Sequence, residues 1–359
     1  MKITRTLALS CLFLLPQVVA AQGSKAWYPL EVDAWDPPFN IARERKTQSY
    51  TPLESASKPW RICVSLPHLK DDYWIAVNFG LIDEARRLGV SLQIFEAGGY
   101  ENLPLQRQQI EECMARDADG LIISAISADG LNDLVERYRG QGMPVIDLIN
   151  GLNSPAITAR AAADFFDMGQ ATARYLVAIE QDKEDAARVA LFPGPDGAAW
   201  VAAAETGFLA GIEDGNIRVV ANSHGDTGLA VQGKLVEQAL DADPELDYIV
   251  GTAVTAEAAV PILRRRGLSD RIGVLAYYYS PGVHRGILRG HILAAPTDRQ
   301  ALLARIALDQ VVRSLQGEDL LQHVAPPVIV VESSNSRTID TTSALPPRGF
   351  RPIFSIGEW

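Results

Sequence analysis

The 359-residue chain carries 44 acidic and 33 basic residues, which give a net charge of −11, and 47% of its residues are hydrophobic. An acidic excess of this size argues against nucleic-acid binding, which requires clustered Lys and Arg. A chain of this length and hydrophobic content is expected to form two domains rather than one.

The first 21 residues have the pattern of a secretory signal peptide. Lys2 and Arg5 form a basic start, an apolar stretch follows over residues 7–15, and small residues precede the expected cleavage site at Ala21. That apolar stretch is shorter than the roughly 20 residues that span a bilayer. The sequence therefore predicts export with cleavage, which changes the net charge to −13. A retained amphipathic anchor is the alternative.

The segment after position 60 predicts a strand, a helix and a second strand. Residues 62–66 are apolar and end at Pro67, as in a buried parallel strand. Apolar residues then recur at helical spacing from Trp74 until Gly89, where the helix is expected to end. Ligands bind outside the carboxyl ends of strands in open parallel sheets. The loop at 70–74, with its Tyr-Trp pair, therefore predicts a binding site.

Strands and helices alternate almost to the end of the chain. The further predicted strands cover residues 120–124, 144–149, 157–162, 188–192, 218–223, 248–251, 272–277, 292–296 and 328–331. The further predicted helices include residues 105–116, 165–180, 198–214, 229–241 and 299–316. Two α/β lobes fit this alternation better than one eight-stranded barrel, because the strands are too many for one sheet of usual size. Residues 22–57 are expected to form an irregular leader, and residues 332–359 an extended tail.

Two cysteines remain after the signal peptide. Cys63 lies on the first predicted strand and Cys113 near the end of a predicted helix. An isolated pair in an oxidising compartment is expected to form a disulfide. Its loop of about 50 residues makes it worth roughly 4 kcal/mol. Two buried free thiols are the alternative, and the pair forms neither a metal site nor a CxxC motif.

Over about residues 60–331 the chain resembles the type 1 periplasmic binding proteins. The motifs that carry this resemblance are IC-V-S-L, DDYW, EARRLGV, ADGLIIS and MPVIDLIN. The resemblance implies a periplasmic α/β protein of two lobes, each a parallel sheet with helices on both faces. Lobe one is expected to hold residues 58–160 and 279–318, and lobe two residues 161–278 and 319–359 with the tail. Three crossings between the lobes would form a hinge, with residues 150–154 leading into the first.

A narrower resemblance rests on LKDDYW, EAGGY, PGPD, GTAVTAEAA and RGFRP. These motifs are similar to those of the family members that sense trimethylamine N-oxide and act through the periplasmic domain of a membrane histidine kinase. The resemblance implies the same ligand, the same kind of partner and no cofactor. By position it places an aromatic wall on Tyr73, Trp74, Phe165 and Tyr278. Sugar receptors of the family carry Asp-Arg where this chain has Ile149-Asn150, so an ordinary sugar is disfavoured.

Four polar residues at strand ends are weaker candidates for ligand contact. Asp72, Asp196 and Asp226 could complement a cationic nitrogen, and Asn150 could donate to an oxygen. Each also has a structural interpretation, because Asp and Asn cap helices and turns. Tyr73 and Trp74 could likewise be core residues. In the run 277–279, three tyrosines end a strand, so alternation predicts at least one buried and one exposed ring.

Enzyme motifs are absent from the sequence: it has no GxSxG, HExxH, P-loop or GxGxxG after a strand. The five histidines show no metal-ligand spacing. The leading interpretation is a binding protein that acts as a sensor accessory. A receptor that delivers a small solute to an ABC transporter is the alternative, and a secreted α/β enzyme is the competing class.

Overall fold

The computed structural model describes residues 29–40 and 44–359, so the predicted signal peptide lies outside the described residues. The strands of this part are β1 (Leu30–Trp35), β2 (Arg45–Tyr50), β3 (Arg61–Leu66), β4 (Ser91–Glu96), β5 (Gly120–Ile123), β6 (Val145–Leu148), β7 (Ala159–Ala161), β8 (Ala187–Phe192), β9 (Ile217–Asn222), β10 (Tyr248–Gly251), β11 (Gly273–Ala276), β12 (Ala294–Thr297), β13 (His323–Ala325), β14 (Ile329–Glu332) and β15 (Ser355–Ile356). The helices are α1 (Asp72–Leu88), α2 (Leu103–Met114), α3 (Asn132–Gly140), α4 (Phe165–Glu180), α5 (Ala199–Ile212), α6 (Leu229–Ala242), α7 (Ala253–Arg266), α8 (Pro281–Leu288) and α9 (Gln300–Gln316).

The strands form two separate sheets, one in each lobe. The first sheet has the order β15-β4-β3-β5-β6-β7-β13-β1-β2, and the second has the order β14-β12-β11-β10-β8-β9. The inner strands pair in parallel, and the antiparallel pairs lie toward the edges: β15 with β4, β13 with β1, β1 with β2, and β12 with β14. The predicted two-lobed α/β architecture is confirmed.

Helices cover both faces of each sheet because successive strand side chains point to opposite faces. On β3, Ile62 and Val64 join the core shared with α1 and α9, whereas Cys63 joins the core formed with α2 and α3. Cys63 therefore faces Cys113 at the end of α2, and the two form the predicted disulfide, with a Cα–Cα distance of 6.1 Å.

Both ends of helix α1 are capped, and the cap at its start positions the Tyr73-Trp74 pair. The side chain of Asp71 accepts a hydrogen bond from the backbone N–H of Trp74 at 3.1 Å, which caps the helix. Gly89, at φ 77°, ends the helix in the left-handed conformation that glycine adopts without strain. These two ends match the sequence prediction, and the cap holds the Tyr73-Trp74 pair at the carboxyl end of β3.

The prediction of an irregular leader over residues 22–57 is wrong for the described part. Strands β1 and β2 form a hairpin-like pair, and β1 adds to the first sheet beside β13. Distant contacts hold them there. The Trp35 ring stacks on His323 at 4.1 Å, and the Tyr50 hydroxyl donates to Asp309 of α9 at 2.6 Å. Because His323 and Asp309 lie near the other end of the chain, the local sequence carries no signal for these two contacts.

The sheets divide the chain differently from the predicted lobe boundaries. Strand β12 pairs with β11 and β14 in the second sheet, although the sequence predicts residues 279–318 in lobe one. Strand β13 pairs with β7 in the first sheet, although residues 319–359 were assigned to lobe two. Chain crossings therefore fall between β7 and α4, between β12 and α9, and between β13 and β14. The predicted hinge lead at 150–154 precedes β7 and lies within the first lobe.

The tail connects the lobes once more. Strand β14 belongs to the second sheet, and β15 pairs with β4 at the edge of the first. The side chain of Asn78 on α1 fixes this return by two hydrogen bonds of 2.9 Å with the backbone of Ile353. The tail is therefore extended, as predicted, but its end lies on lobe one.

Candidate functional site

A cavity lies between the carboxyl ends of the two sheets, in the position that the sequence predicted for a ligand. Its lining residues come from loops and helix starts of both lobes: Tyr73, Trp74, Tyr100, Ile149, Asn150, Phe165, Trp200, Thr227 and Tyr278. The space that these residues enclose is small. We call this space the inner cavity.

Aromatic rings form most of the wall of the inner cavity. Tyr278 lies 5.1 Å from Tyr73 and 6.0 Å from Trp200, measured between ring centroids, with the rings edge to face. Tyr73 contacts Trp74 in the same way at 5.5 Å, and Phe165 lies 5.6 Å from Trp200. Edge-to-face contacts at 4.5–7 Å are the favoured geometry for aromatic pairs. The rings therefore support one another, and both lobes contribute to a single wall.

Tyr100 has a hydroxyl group whose acceptor positions are filled. The side-chain amide of Asn150 and the indole N–H of Trp200 each donate to this oxygen at 3.1 Å. A phenolic hydroxyl can also donate one proton, and no acceptor for it is found among the described residues. Because Tyr100 lines the cavity, its hydroxyl group is a donor that is free to bind a ligand oxygen.

The lining of the inner cavity contains no charged side chain among the described residues. The free volume of the cavity is about 10 Å³, which is room for about one water molecule. The site is thus small, neutral at its surface and dominated by ring faces and edges.

Two buried carboxyl groups lie behind the rings. Asp298, between β12 and α9, accepts a hydrogen bond from the Tyr73 hydroxyl at 2.6 Å. Burial raises the pKa of Asp298 to about 6 and the pKa of Asp71 to about 7, because a charged carboxylate loses hydration in the interior. The Asp71 charge also acts on Tyr100 and Tyr278, whose pKa values are raised mainly by burial. A cation held by the rings would therefore lie close to an ionisable carboxyl group.

Polar contacts join the two lobes at the rim of the inner cavity. Lys70, after β3, forms an ion pair with Asp226, after β9. Beside it the buried ring nitrogen Nε2 of His68 lies 2.9 Å from the hydroxyl of Thr227. Burial lowers the pKa of His68 to about 3, so this ring is neutral at physiological pH. The structure therefore represents a closed cleft.

The structure brings together five of the eight residues that the sequence singled out as ligand contacts. Those that line the inner cavity are Tyr73, Trp74, Phe165, Tyr278 and Asn150. Trp74 is also part of the buried core, so its two interpretations are compatible. The amide of Asn150 donates to Tyr100 and to the carbonyl of Ala125 at 2.8 Å. Both N–H groups are then taken, and Asn150 positions Tyr100 instead of donating to a ligand.

The three other candidates lie elsewhere. Asp72 begins α1 outside the lining, and its neighbour Asp71 is the carboxyl group near the rings. The Asp196 side chain is 88% exposed. Asp226 pairs with Lys70 at the rim. None of these three contacts the inner cavity.

Sequence reasoning missed Tyr100, Trp200 and Thr227 as lining residues. Each follows the carboxyl end of a strand: β4, β8 and β9 respectively. Trp200 stands in the first turn of α5, as Trp74 does in α1, so the same argument would have found it. In addition, the expectation of an exposed ring among residues 277–279 is wrong. All three rings are at most 5% exposed. The Tyr278 ring is covered by Tyr73 of the facing lobe, whereas Tyr277 packs on Trp200 and Tyr279 on His284 of their own lobe.

Within the described ranges, no group of His, Cys, Asp and Glu side chains is arranged to hold a metal ion. No helix in this part of the chain is long and apolar enough to cross a membrane.

The family of the chain follows from its sequence and from its two-lobed fold. The family model described as "periplasmic binding protein domain" matches residues 62–319. The chain therefore belongs to the periplasmic binding protein family. Among its curated relatives is the periplasmic protein TorT of Escherichia coli strain K12, which is 34% identical over 88% of this chain and 90% of TorT. The narrower resemblance indicated by the sequence motifs is confirmed.

Solved structures show the same relationship. An ABC transporter solute binding protein from Bradyrhizobium sp. BTAi1, solved with bound bis-tris, is 47% identical with a TM-score of 0.80 and covers 92% of this chain and 99% of that chain. The complex of the TorS sensor domain with TorT, solved in the presence of TMAO, gives 30% identity and a TM-score of 0.75, and covers 82% of this chain and 99% of that chain.

Proposed function

We propose that this chain binds trimethylamine N-oxide, or a similar small methylamine, in the inner cavity and regulates the sensor domain of a membrane histidine kinase in the periplasm. The observation that carries the proposal is the composition of the cavity wall. Six aromatic side chains from both lobes surround a space whose lining includes the free hydroxyl donor of Tyr100 and, among the described residues, no charged side chain.

The chemistry of trimethylamine N-oxide matches this wall. Its nitrogen bears three methyl groups and a positive charge, which aromatic faces attract by about 0.5–2 kcal/mol per desolvated contact. Its single oxygen requires one or two donors, and the Tyr100 hydroxyl supplies one. The carboxyl group of Asp71 behind the rings adds a negative charge at pH values above its pKa of about 7. Ring faces therefore hold the methyl groups, and Tyr100 holds the oxygen.

The same wall argues against a sugar. A sugar presents several hydroxyl groups, and each one that is buried without a partner costs about 1–3 kcal/mol. Of the polar lining groups, the Asn150 amide already donates to Tyr100 and Ala125, and the Thr227 hydroxyl lies 2.9 Å from the Nε2 atom of His68. Ile149 adds an apolar side chain at the strand end. A ligand with one polar atom therefore suits the site better than a polyol.

Ligand entry requires the lobes to separate. The closed inner cavity has room for about one water molecule, whereas trimethylamine N-oxide has five heavy atoms. Because the rings belong to both lobes, a small rotation about the crossings enlarges the cavity, and closure around the ligand restores the ring contacts. Ligand binding is in this way coupled to the relative position of the lobes, which a partner protein can detect.

The kinase partner is proposed from the relationship to TorT, because TorT has been solved in complex with the TorS sensor domain. The relative that was solved with bis-tris favours a second candidate. It is described as an ABC transporter solute binding protein, and bis-tris is a tertiary amine. The second candidate function is therefore a receptor that delivers a small amine to an ABC transporter. A neighbouring histidine kinase gene would support sensing, and neighbouring permease and ATPase genes would support transport.

Calorimetric titration of the mature protein tests the ligand. Trimethylamine N-oxide should bind with a dissociation constant no tighter than a few micromolar, since five heavy atoms contribute at most about 1.5 kcal/mol each. Ribose should not bind. The Tyr100→Phe variant should bind the N-oxide about 10- to 100-fold more weakly, and should bind tetramethylammonium, which has no oxygen, as wild type does. Binding of ribose without binding of the N-oxide would overturn the proposal.

A further inference from the structure

A second, larger cavity adjoins the inner cavity along the cleft between the lobes. We call it the outer cavity. It shares Ile149, Asn150, Phe165 and Trp200 with the inner cavity, so the two spaces meet at the same four side chains. The free volume of the outer cavity is about 220 Å³, and that of the inner cavity is about 10 Å³. Most of the room for ligand atoms therefore lies outside the aromatic wall.

The outer cavity has a mixed lining of apolar and polar side chains, and unlike the inner cavity it contains charged residues. It includes Asn153, Arg160 and Asp164. Arg160 is already neutralised, because its Nε atom donates to the buried carboxylate of Asp147 at 2.6 Å and its Nη2 atom donates to the carbonyl of Leu152 at 2.5 Å. The carboxyl group of Asp164 caps α4 and has no ion-pair partner within 4 Å among the described residues.

These charges decide which polar group the outer cavity favours. A carboxylate would meet the negative charge of Asp164. The two cations near Asp164 are each paired with another carboxylate, Arg160 with Asp147 and Arg45 with Asp167. A hydroxyl group carries no charge, and it can donate to Asp164 or accept from Asn153 or Arg160. The outer cavity therefore favours a neutral hydroxylated group over an anionic one.

We propose that the two cavities form one extended site, in which the rings hold an alkylammonium head and the outer cavity holds a hydroxylated arm attached to it. This inference rests on the proposed function for the head and adds a ligand class, hydroxyalkyl-ammonium solutes larger than trimethylamine N-oxide. The five-atom N-oxide would then fill only the inner part of the site.

Three ammonium compounds with the same head test the inference by calorimetric titration. They are tetramethylammonium, which has no arm, 3-hydroxypropyl-trimethylammonium and 2-carboxyethyl-trimethylammonium, whose arms have similar length. The hydroxyl compound should bind about tenfold more tightly than tetramethylammonium, because its additional heavy atoms become buried. The carboxylate compound should bind more weakly than the hydroxyl compound.

Two neighbouring alanines of α5 provide a matched pair of variants. Ala203 lines the outer cavity, whereas Ala202 is exposed and does not. Ala203→Leu should fill the outer cavity and remove the advantage of the hydroxyl compound, while tetramethylammonium binds as to wild type. Unchanged tetramethylammonium binding also shows that the variant is folded. Ala202→Leu should leave both affinities unchanged.

The outcomes separate this inference from the proposed function. If trimethylamine N-oxide binds but the hydroxyl arm gives no advantage, or if Ala203→Leu leaves that advantage intact, the extended site is wrong and the proposed function stands. If the hydroxyl compound binds with its advantage and the N-oxide does not bind, the proposed ligand is wrong and the extended site stands. If no ammonium compound binds, both are overturned.

Discussion

At the scale of single residues, the inner cavity depends on rings that support one another across the cleft. Tyr278 contacts Tyr73 from the opposite lobe, and Trp200 contacts Tyr278 and Phe165. The Tyr73 hydroxyl is fixed by Asp298, and the Trp200 indole is fixed by Tyr100. Each ring is thus oriented by a second contact when the cleft is closed, so closure around a ligand arranges the whole wall.

Removing one ring should weaken ligand binding. We expect Tyr73→Ala, Trp74→Ala and Trp200→Ala each to cost about 1–3 kcal/mol in binding of trimethylamine N-oxide, through lost cation–π contact and lost burial. Titration calorimetry measures the change. Trp60→Ala is the control, because Trp60 lies outside the inner cavity. If the ring variants bind as tightly as the control, the rings do not form the site.

The buried carboxyl group of Asp71 predicts a pH dependence of binding. Its pKa is about 7 because burial disfavours the carboxylate, and a permanent cation in the cavity favours the carboxylate. Affinity for tetramethylammonium should therefore rise between pH 6 and pH 8, roughly one unit on either side of that pKa. Asp71→Asn should reduce this rise to the part contributed by Asp298, whose pKa of about 6 lies at the lower end of the range, and asparagine still caps α1. An unchanged pH profile in the variant would contradict this role.

The same group affects the stability of the ligand-free protein in the opposite direction. The pKa of Asp71 in the folded protein lies above the value of about 3.9 expected in the unfolded chain. The folded state therefore binds the additional proton between these two values. The contribution of Asp71 to the free energy of unfolding is fully present below about pH 4 and is lost as the pH rises through 7.

At the scale of the elements, the disulfide links the central strand β3 to helix α2 across one face of the first sheet. The Cys63→Ser, Cys113→Ser double variant should melt several degrees below wild type, since closing a loop of 50 residues is worth roughly 4 kcal/mol. The exported wild-type protein, denatured without reductant, should show no reactive thiol. Two reactive thiols per chain would remove the disulfide from the account.

The elements that the sequence predicted are those with local signals. Helix α4 begins at Phe165 and ends at Glu180 as predicted, and α1 ends at Gly89. Strands β1 and β2 pair with each other, but their attachment to the first lobe depends on β13 and on α9, which are more than 250 residues away. The local sequence therefore did not predict them. Periodicity indicates that a segment is a strand, but it does not indicate which sheet the strand joins. The assignment of β12 and β13 to the wrong lobes has this cause.

The residues of the site, too, could be predicted only where the signal is local in the sequence. Tyr73 and Trp74 could be predicted because a strand and a helix start lie next to them in the sequence. The free donor of Tyr100 could not be predicted, because it results from Asn150 and Trp200 reaching the same oxygen from two lobes. Asp226 has the local pattern of a ligand residue, yet Lys70 of the other lobe engages it. In both cases a contact between the lobes determines whether the side chain is available to a ligand.

At the scale of the whole molecule, the fold places the binding site between the two lobes, so the shape of the site depends on the position of both. The chain crosses between the sheets after β7, after β12 and after β13, and its tail returns once more to β4. The cavity wall, the Lys70–Asp226 ion pair and the His68–Thr227 contact all join the two sides of the cleft. Opening the cleft would break these contacts together, so ligand binding and lobe closure are coupled.

The central claim is that the aromatic wall between the lobes binds a small methylamine, and a crystal structure of the mature protein with trimethylamine N-oxide tests it most directly. We expect the methyl groups against Trp74, Trp200 and Tyr278, and the ligand oxygen within about 3 Å of the Tyr100 hydroxyl. Ligand density outside the wall, or an occupied cavity whose ligand oxygen faces away from Tyr100, would contradict the account.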